Sequence, residues 1–313
     1  MSDIGSVMMV KEIIISDMVE SLQLEVLTSS DALDRKITKP KARRPGLEFI
    51  EYISFLPTGH VQVLGENELD YLKSLSEEER STRVGNLVKY DPPCIIVTDG
   101  RKGLKYLRKY CDEQHIPLLS TDEANYEFNG RIDAYLIRQL AEEIAIHGVC
   151  VNVLGMGILL RGDSGVGKSE IAHSLLGRGH RLVADDIVVL KKLSPETIIG
   201  THNETNKELL SLRSIGLLNV VRMYGRQAFQ TETRIGLDIE LTKWEESALY
   251  NDLDVASQYT SYMDVEIPYL QIQLKPGRDV VGLIEAAINN LLLKQQGYQA
   301  VDEFMKRIEE MSD

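Results

Sequence analysis

The chain has 313 residues with 43% hydrophobic content, enough for two domains that each bury a core, and its 35 Lys and Arg against 48 Asp and Glu leave a net charge of -13. That charge repels a phosphate backbone and excludes a DNA- or RNA-binding role. Cys94, Cys111 and Cys150 form no CxxC pair, so buried thiols in a reducing compartment are expected rather than a disulfide framework or zinc site; with no basic n-region and no apolar run near the roughly 20 residues of a membrane span, a soluble cytoplasmic protein is expected.

Residues 1–130 alternate short apolar runs with charged amphipathic stretches. HVQVLG at 60–65, CIIVTDG at 94–100 and IPLLS at 116–120 read as strands, and the spacing of Leu104, Leu107 and Cys111 predicts a helix between the last two. Strand, helix and strand in that order predict a small N-terminal α/β domain. Ile132, Leu136, Leu140 and Ile144 recur every four residues and predict one amphipathic helix over residues 131–145. The domain boundary is expected near residue 130, giving domains 1–130 and 131–313.

The second half opens with VCVNVLGMGILLRGDSGVGKSEIAHSLLGRG, read as an apolar strand, a glycine-rich turn and a helix, and HRLVADDIVVLKK follows as a second strand. Stretches such as LLNVVRMY at 217–224 and RIGLDIELT at 234–242 read as further strands. After the turn KPGRD, Asp279 is placed to cap a helix in which Ile284, Ile288 and Leu291 share a face, and a charged helix over 301–311 ends the chain.

The strongest chemical signal is GDSGVGKS: Gly162, Asp163, Ser164, Gly165, Val166, Gly167, Lys168 and Ser169 fit G-x-x-x-x-G-K-[ST] between a strand and a helix. Glycines let the backbone curl its N–H groups around phosphate oxygens, Lys168 adds positive charge, and the Ser169 hydroxyl can hold Mg²⁺. The alternative, a glycine-rich turn that happens to end in Lys-Ser, explains less because motif and context agree. Asp185 and Asp186 end the apolar run Leu182, Val183, Ala184 just after the phosphate-loop helix; a carboxylate pair there can hold the metal and accept a proton from a hydroxyl, whereas alone it would read equally well as solvated strand-end acids. His147, His173 and His180, taken singly, read as helix-end, helix or loop residues, and Arg178 and Arg181 as solvated or structural.

HGVCVNVLGMGILLRGDSGVGKSE followed by RGHRLVADD resembles the core signature of the HPr kinase/phosphorylases, RRPGLEF at 43–49 resembles their RPGLE segment, and KPGRD at 275–279 is similar to their late RPGRN loop. The resemblance implies a kinase that phosphorylates a serine of HPr, the phosphocarrier of the sugar phosphotransferase system, and removes that phosphate by phosphorolysis. It implies ATP or pyrophosphate as donor, Mg²⁺, a homohexamer, and a C-terminal P-loop domain related to phosphoenolpyruvate carboxykinases. On that model His147 lies near the transferred phosphate, Lys168 neutralises developing charge, Ser169 and Asp185 serve the metal, and Asp186 is the base. The same resemblance implies a metal-side glutamate where Ser211 stands, a glycine where Ser214 stands and a catalytic arginine where Asp252 stands, and it makes the dephosphorylating direction the more doubtful. Besides a working HPr kinase, two readings follow: a nucleotide-binding regulatory protein that lost transfer, and a kinase of the same fold acting on another target.

Overall fold

The computed structural model describes residues 11–29, 32–45, 58–100, 104–244 and 258–311, and the chain divides into two units, Met1–Ala141 and Glu142–Asp313. In the first unit β1 (Ile13–Ile14), α1 (Ile15–Leu22), β2 (Glu25–Val26) and β3 (Lys36–Ile37) precede an alternating run. That run is β4 (Gln62–Leu64), α2 (Glu66–Ser74), α3 (Glu77–Lys89), β5 (Ile95–Val97), α4 (Lys105–Glu113), β6 (Leu118–Ser120) and α5 (Asn125–Gln139). The three strands expected from the sequence form the parallel part of a sheet ordered β2-β6-β5-β4. Ile96 and Leu119 pack under α1 and α5, while Ile95, Val97 and Leu118 pack under α3 and α4. Both faces of these strands are therefore buried, which is why they read as continuous apolar runs.

The second unit contains β7 (Glu142–His147), β8 (Val149–Val153), β9 (Met156–Gly162), α6 (Lys168–Gly177), β10 (Arg181–Ala184), β11 (Ile187–Ser194) and β12 (Thr197–Thr201). It continues with β13 (Leu209–Leu212), β14 (Gly216–Asn219), α7 (Val220–Tyr224), β15 (Glu232–Lys243), β16 (Gln258–Tyr262), β17 (Val265–Leu274), α8 (Val280–Gln295) and α9 (Ala300–Glu310). The main sheet runs β10-β8-β9-β15-β12-β11-β7, with β17 on β15 and β16 on β17. Side chains alternate between its faces. Val149, Val151, Ile158 and Leu160 meet α6 and α8, while Cys150, Leu159 and Val183 fill a second cluster with Val188 and Leu190.

Four expectations are corrected here. The helix predicted over residues 131–145 lies at Asn125–Gln139 instead, and Glu142–His147 is strand β7, because Ile144 and Ile146 pair with β11 and half-bury on one side. The apolar strand before the glycine-rich turn is a hairpin, β8 and β9, turning at Leu154 (φ 53) and Gly155 (φ 90). HRLVADDIVVLKK is two strands, broken where Asp186 adopts a left-handed φ of 68. Within LLNVVRMY, Val220–Tyr224 is helical because the Asn219 side chain accepts the amide of Arg222 and caps it. Asp279 does cap α8, accepting the Gly282 amide, and Ile284, Ile288 and Leu291 are buried together. All three cysteines are buried free thiols, and burial pushes Cys111 up to about 12. Among the described residues no helix is long and apolar enough to cross a membrane.

Candidate active site

β9, β10, β15 and β17 all run in one direction, so their carboxyl ends share one edge, where open α/β sheets bind ligands. β9 ends at Gly162 (φ 135), where a Cβ would stand 2.3 Å from the carbonyl oxygen of Leu241 on the adjoining β15, so only glycine fits. The chain then turns through Gly165 (φ 75) and Gly167 (φ 109) into α6. Left-handed turns of this kind direct successive amides to one side, and the helix start adds positive potential. Ala172, Leu175 and Leu176 anchor α6 in the core. The Lys168 ammonium donates to the carbonyls of Gly162 (2.8 Å) and Asp163 (3.0 Å).

Beneath this loop the Ser169 hydroxyl donates to Asp185 Oδ1 at 2.8 Å, and the Ser211 amide donates to Asp185 Oδ2 at 2.8 Å. Asp185 is only 3% exposed. Burial pushes its carboxyl above the usual range, and the Ser211 amide and Ser169 hydroxyl oppose that push in part. Asp186, next along the chain, faces outward. His147 Nδ1 stands 3.2 Å from the Asp186 carbonyl oxygen and 3.6 Å from its Oδ1, and both side chains are 75% exposed. The Gly148 amide also donates to the Asp186 carbonyl, at 3.1 Å.

The corner between β10 and β11 is pinned by a residue the sequence did not single out. Asn206 Nδ2 donates to the carbonyls of Asp185 (2.6 Å) and Ile187 (3.1 Å), and its own loop is fixed by reciprocal bonds with Asn203. Nothing local in TNKELL marks this role, since the clamp spans 21 residues of sequence. The result is an open cavity of about 850 Å³ lined by His147, Ser164, Lys168, Ser169, Asp185, Asp186 and Ser211 among others, within the range that accepts a nucleotide-sized ligand. Gly162 and Gly165 also line it, while Val166 packs on the hydrophobic core.

Other residues weighed in the sequence lie elsewhere. His173 Nε2 meets the Tyr224 hydroxyl at 2.6 Å, and His180 Nε2 meets Glu285 Oε1 at 2.8 Å. Arg178 bridges Asp279 (3.0 Å) and Glu285 (2.6 Å), tying the end of α6 to the start of α8. Asp279 is thus occupied both as a helix cap and as an ion-pair partner. Asp252, with its neighbours Tyr250, Asn251 and Leu253, lies outside the described residues, as does most of RRPGLEF.

Residues 13–136 match the family model described as HPr Serine kinase N terminus, and residues 138–308 match the HPr Serine kinase C-terminal domain. The chain belongs to the HPr serine kinase family. Within it, a protein of Oceanobacillus iheyensis named "Putative HPr kinase/phosphorylase 2" is 61% identical over 299 residues, covering 96% of this chain and 98% of that protein. The HPr kinase/phosphorylase of Halalkalibacterium halodurans is 35% identical over 296 residues, covering 95% of this chain and 96% of its own. Among solved structures, the HPr(Ser) kinase/phosphatase of Coxiella burnetii is 29% identical, covers 51% of this chain and 98% of that one, and superposes with a TM-score of 0.47. The glycine-rich turn Gly162 to Ser169, Asp185 and Asp186 all lie within the part of the chain that matches the family's C-terminal domain.

Proposed function

We propose that the protein transfers a phosphoryl group from ATP, or from pyrophosphate, to a serine hydroxyl of HPr. The observation that carries this reading is the Ser169–Asp185 hydrogen bond beneath the phosphate loop, with Asp186 and His147 exposed at the mouth of the same cavity. The buried acid has hydroxyl and amide donors, and the exposed one is reachable by a protein substrate. Two adjacent carboxylates in such different surroundings suit different tasks.

In the forward direction the bond between the terminal phosphorus and its bridging oxygen breaks, a bond from that phosphorus to the serine oxygen forms, and the serine proton passes to Asp186. Lys168, released from the carbonyls of Gly162 and Asp163, balances charge on the phosphate oxygens. His147, against Asp186, orients that carboxylate and adds a donor at the entrance. Mg²⁺ fits Ser169 and Asp185: both offer hard oxygen, and a buried carboxylate pushed upward by desolvation gains from a cation. When bound, the ion neutralises phosphate charge. Among the described residues no cluster of three or more His, Cys, Asp or Glu could hold a metal alone, so nucleotide oxygens and water would complete the shell. By the same family resemblance the reaction belongs to a cytoplasmic homohexamer.

A second reading, a nucleotide-binding regulatory protein of the same fold, is favoured by Ser211. It stands beside Asp185 with its amide committed to that carboxylate, and its side chain brings no negative charge to the cavity. The test mixes the protein with HPr, Mg²⁺ and ATP or pyrophosphate and reads HPr by intact mass, with Lys168→Ala alongside. A phosphate added by the wild type and absent with Lys168→Ala supports transfer; bound nucleotide with unmodified HPr supports the regulatory reading.

A further inference from the structure

Residues 35–45 hold six Lys or Arg and no Asp or Glu, in a chain whose net charge is -13. Half of these cations are neutralised: Arg35 pairs with Asp91 (2.5 Å), Lys36 with Glu12 (2.5 Å) and Arg44 with Glu68 (2.8 Å). Lys41 and Arg43 have no carboxylate partner among the described residues. Both line an open cavity of about 650 Å³ between segment 40–44 and the first turns of α5, in the first unit.

The walls of this cavity are fixed by bonds that leave the cations free. The Arg43 amide donates to the Val61 carbonyl and the Arg43 carbonyl accepts from Val63, both at 2.8 Å, laying the segment along the edge of β4. The Ala42 amide donates to Asp133 Oδ1 of α5 at 2.8 Å, which ties the segment to that helix. His60 Nδ1 meets the Lys41 carbonyl at 2.9 Å. Opposite, Asn129 Nδ2 donates to the Asn125 carbonyl (2.6 Å), and Asn125 Nδ2 to Thr98 Oγ1 (3.0 Å). Tyr126 lines the same cavity with 82% of its surface exposed.

We propose that this cavity binds a small organic phosphate, with the phosphate on Lys41 and Arg43 and a flat or apolar body against Tyr126. A pair of unneutralised cations on a rigid frame loses little conformational freedom on binding, and Arg and Lys are the side chains that take phosphate by charge-assisted bonds. The exposed aromatic ring offers area and a stacking face at low entropic cost. Glu68 is paired with Arg44, and Asp133 keeps its negative charge while it accepts the Ala42 amide, so Lys41 and Arg43 together outnumber that one uncompensated carboxylate. The site is separate from the phosphate loop, which lies in the second unit.

The test is calorimetric titration of the full chain with phenyl phosphate, inorganic phosphate and an oligoglutamate peptide. Lys168→Ala serves as the host, so that binding at the phosphate loop is weakened and the second site is read alone. In that host, phenyl phosphate is expected to bind at one site. Lys41→Gln with Arg43→Gln should weaken it roughly a hundredfold, about tenfold for each charge-assisted bond removed, while Tyr126→Ala should weaken phenyl phosphate and leave inorganic phosphate unchanged. Thermal melting without ligand should be the same for all variants, because none of these side chains carries a hydrogen bond or ion pair among the described residues. No binding in the Lys168→Ala host, or unchanged binding in the double variant, overturns the proposal. Binding of oligoglutamate without phenyl phosphate overturns it in favour of an acidic protein segment, and indifference of phenyl phosphate to Tyr126→Ala overturns the part assigned to the ring.

Discussion

Asp185→Asn separates the structural from the chemical work of the buried carboxylate. Asp185 receives one hydrogen bond from the Ser169 hydroxyl and one from the Ser211 amide, each 2.8 Å long. An asparagine can keep both by turning its carbonyl toward the Ser211 amide, which can only donate, and its NH₂ toward Ser169, whose oxygen can accept. A charge-assisted bond weakens by about 1 kcal/mol, while removing a buried charge recovers part of its desolvation cost. Folding stability should therefore stay within about 1 kcal/mol of wild type, or roughly 2–4 °C in Tm. Asp185→Ala should cost about 1–3 kcal/mol instead, since it leaves two part-buried donors without their acceptor. The nucleotide should behave differently: loss of the anionic oxygen should weaken its Mg²⁺-dependent affinity by roughly 10- to 100-fold, the scale of a lost support at a metal site. Thermal melts by circular dichroism without Mg²⁺, and calorimetric ATP titrations with and without it, read the two effects separately. If Asp185→Asn retained the full Mg²⁺ dependence, Asp185 would not serve the metal. If Asp185→Ala melted with the wild type, the three-residue network would not be structural.

Gly162→Ala should destabilise the second unit by roughly 3 kcal/mol, from a disallowed φ and a Cβ 2.3 Å from the Leu241 carbonyl oxygen; a denaturant midpoint equal to wild type would contradict the packing of β9 on β15. Asp238 is fully buried, with both oxygens 2.9 Å from Arg161 Nε and one taking the Tyr262 hydroxyl at 2.6 Å. Asp238→Ala should cost about 3 kcal/mol, the low end for breaking a buried pair because Arg161 remains 27% exposed, and Arg161→Met with Asp238→Leu should recover much of it in equilibrium unfolding. Burial raises the Asp185 pKa in the folded state, so its contribution to stability is fully present below the ordinary carboxylate range and is lost as pH rises through the raised value. Mg²⁺-dependent nucleotide binding, which needs the carboxylate, should weaken as pH falls through that same window, and Asp185→Asn should flatten both profiles in melting and titration.

What the sequence disclosed was what short spacing controls. The glycine-rich turn is eight contiguous residues whose Gly162, Gly165 and Gly167 take left-handed φ, and Asp185 and Asp186 directly follow the strand after its helix, so the placement of both is legible without the fold. Asp279 as a cap was legible for the same reason. The strands of the first unit showed as unbroken apolar runs because helices cover both of their faces. AEEIA favours helix locally, and only pairing with β11, whose partners lie 40 to 50 residues on, makes Glu142–His147 strand and brings His147 to Asp186. VVRMY is the opposite case: its β-branched residues suggest a strand, and the Asn219 cap decides for helix. Asn206 could not have been found, since its clamp on the acid corner is a contact between distant segments with no pattern in either.

The measurement that tests the account most directly is the mass of HPr after incubation with the protein, Mg²⁺ and ATP or pyrophosphate, for the wild type and Asp186→Asn, with nucleotide affinity measured on both. The account predicts a single phosphoserine on HPr that depends on donor and Mg²⁺ and is lost in Asp186→Asn while nucleotide binding is kept. Unmodified HPr from a wild type that binds nucleotide, or undiminished transfer by Asp186→Asn, would contradict it.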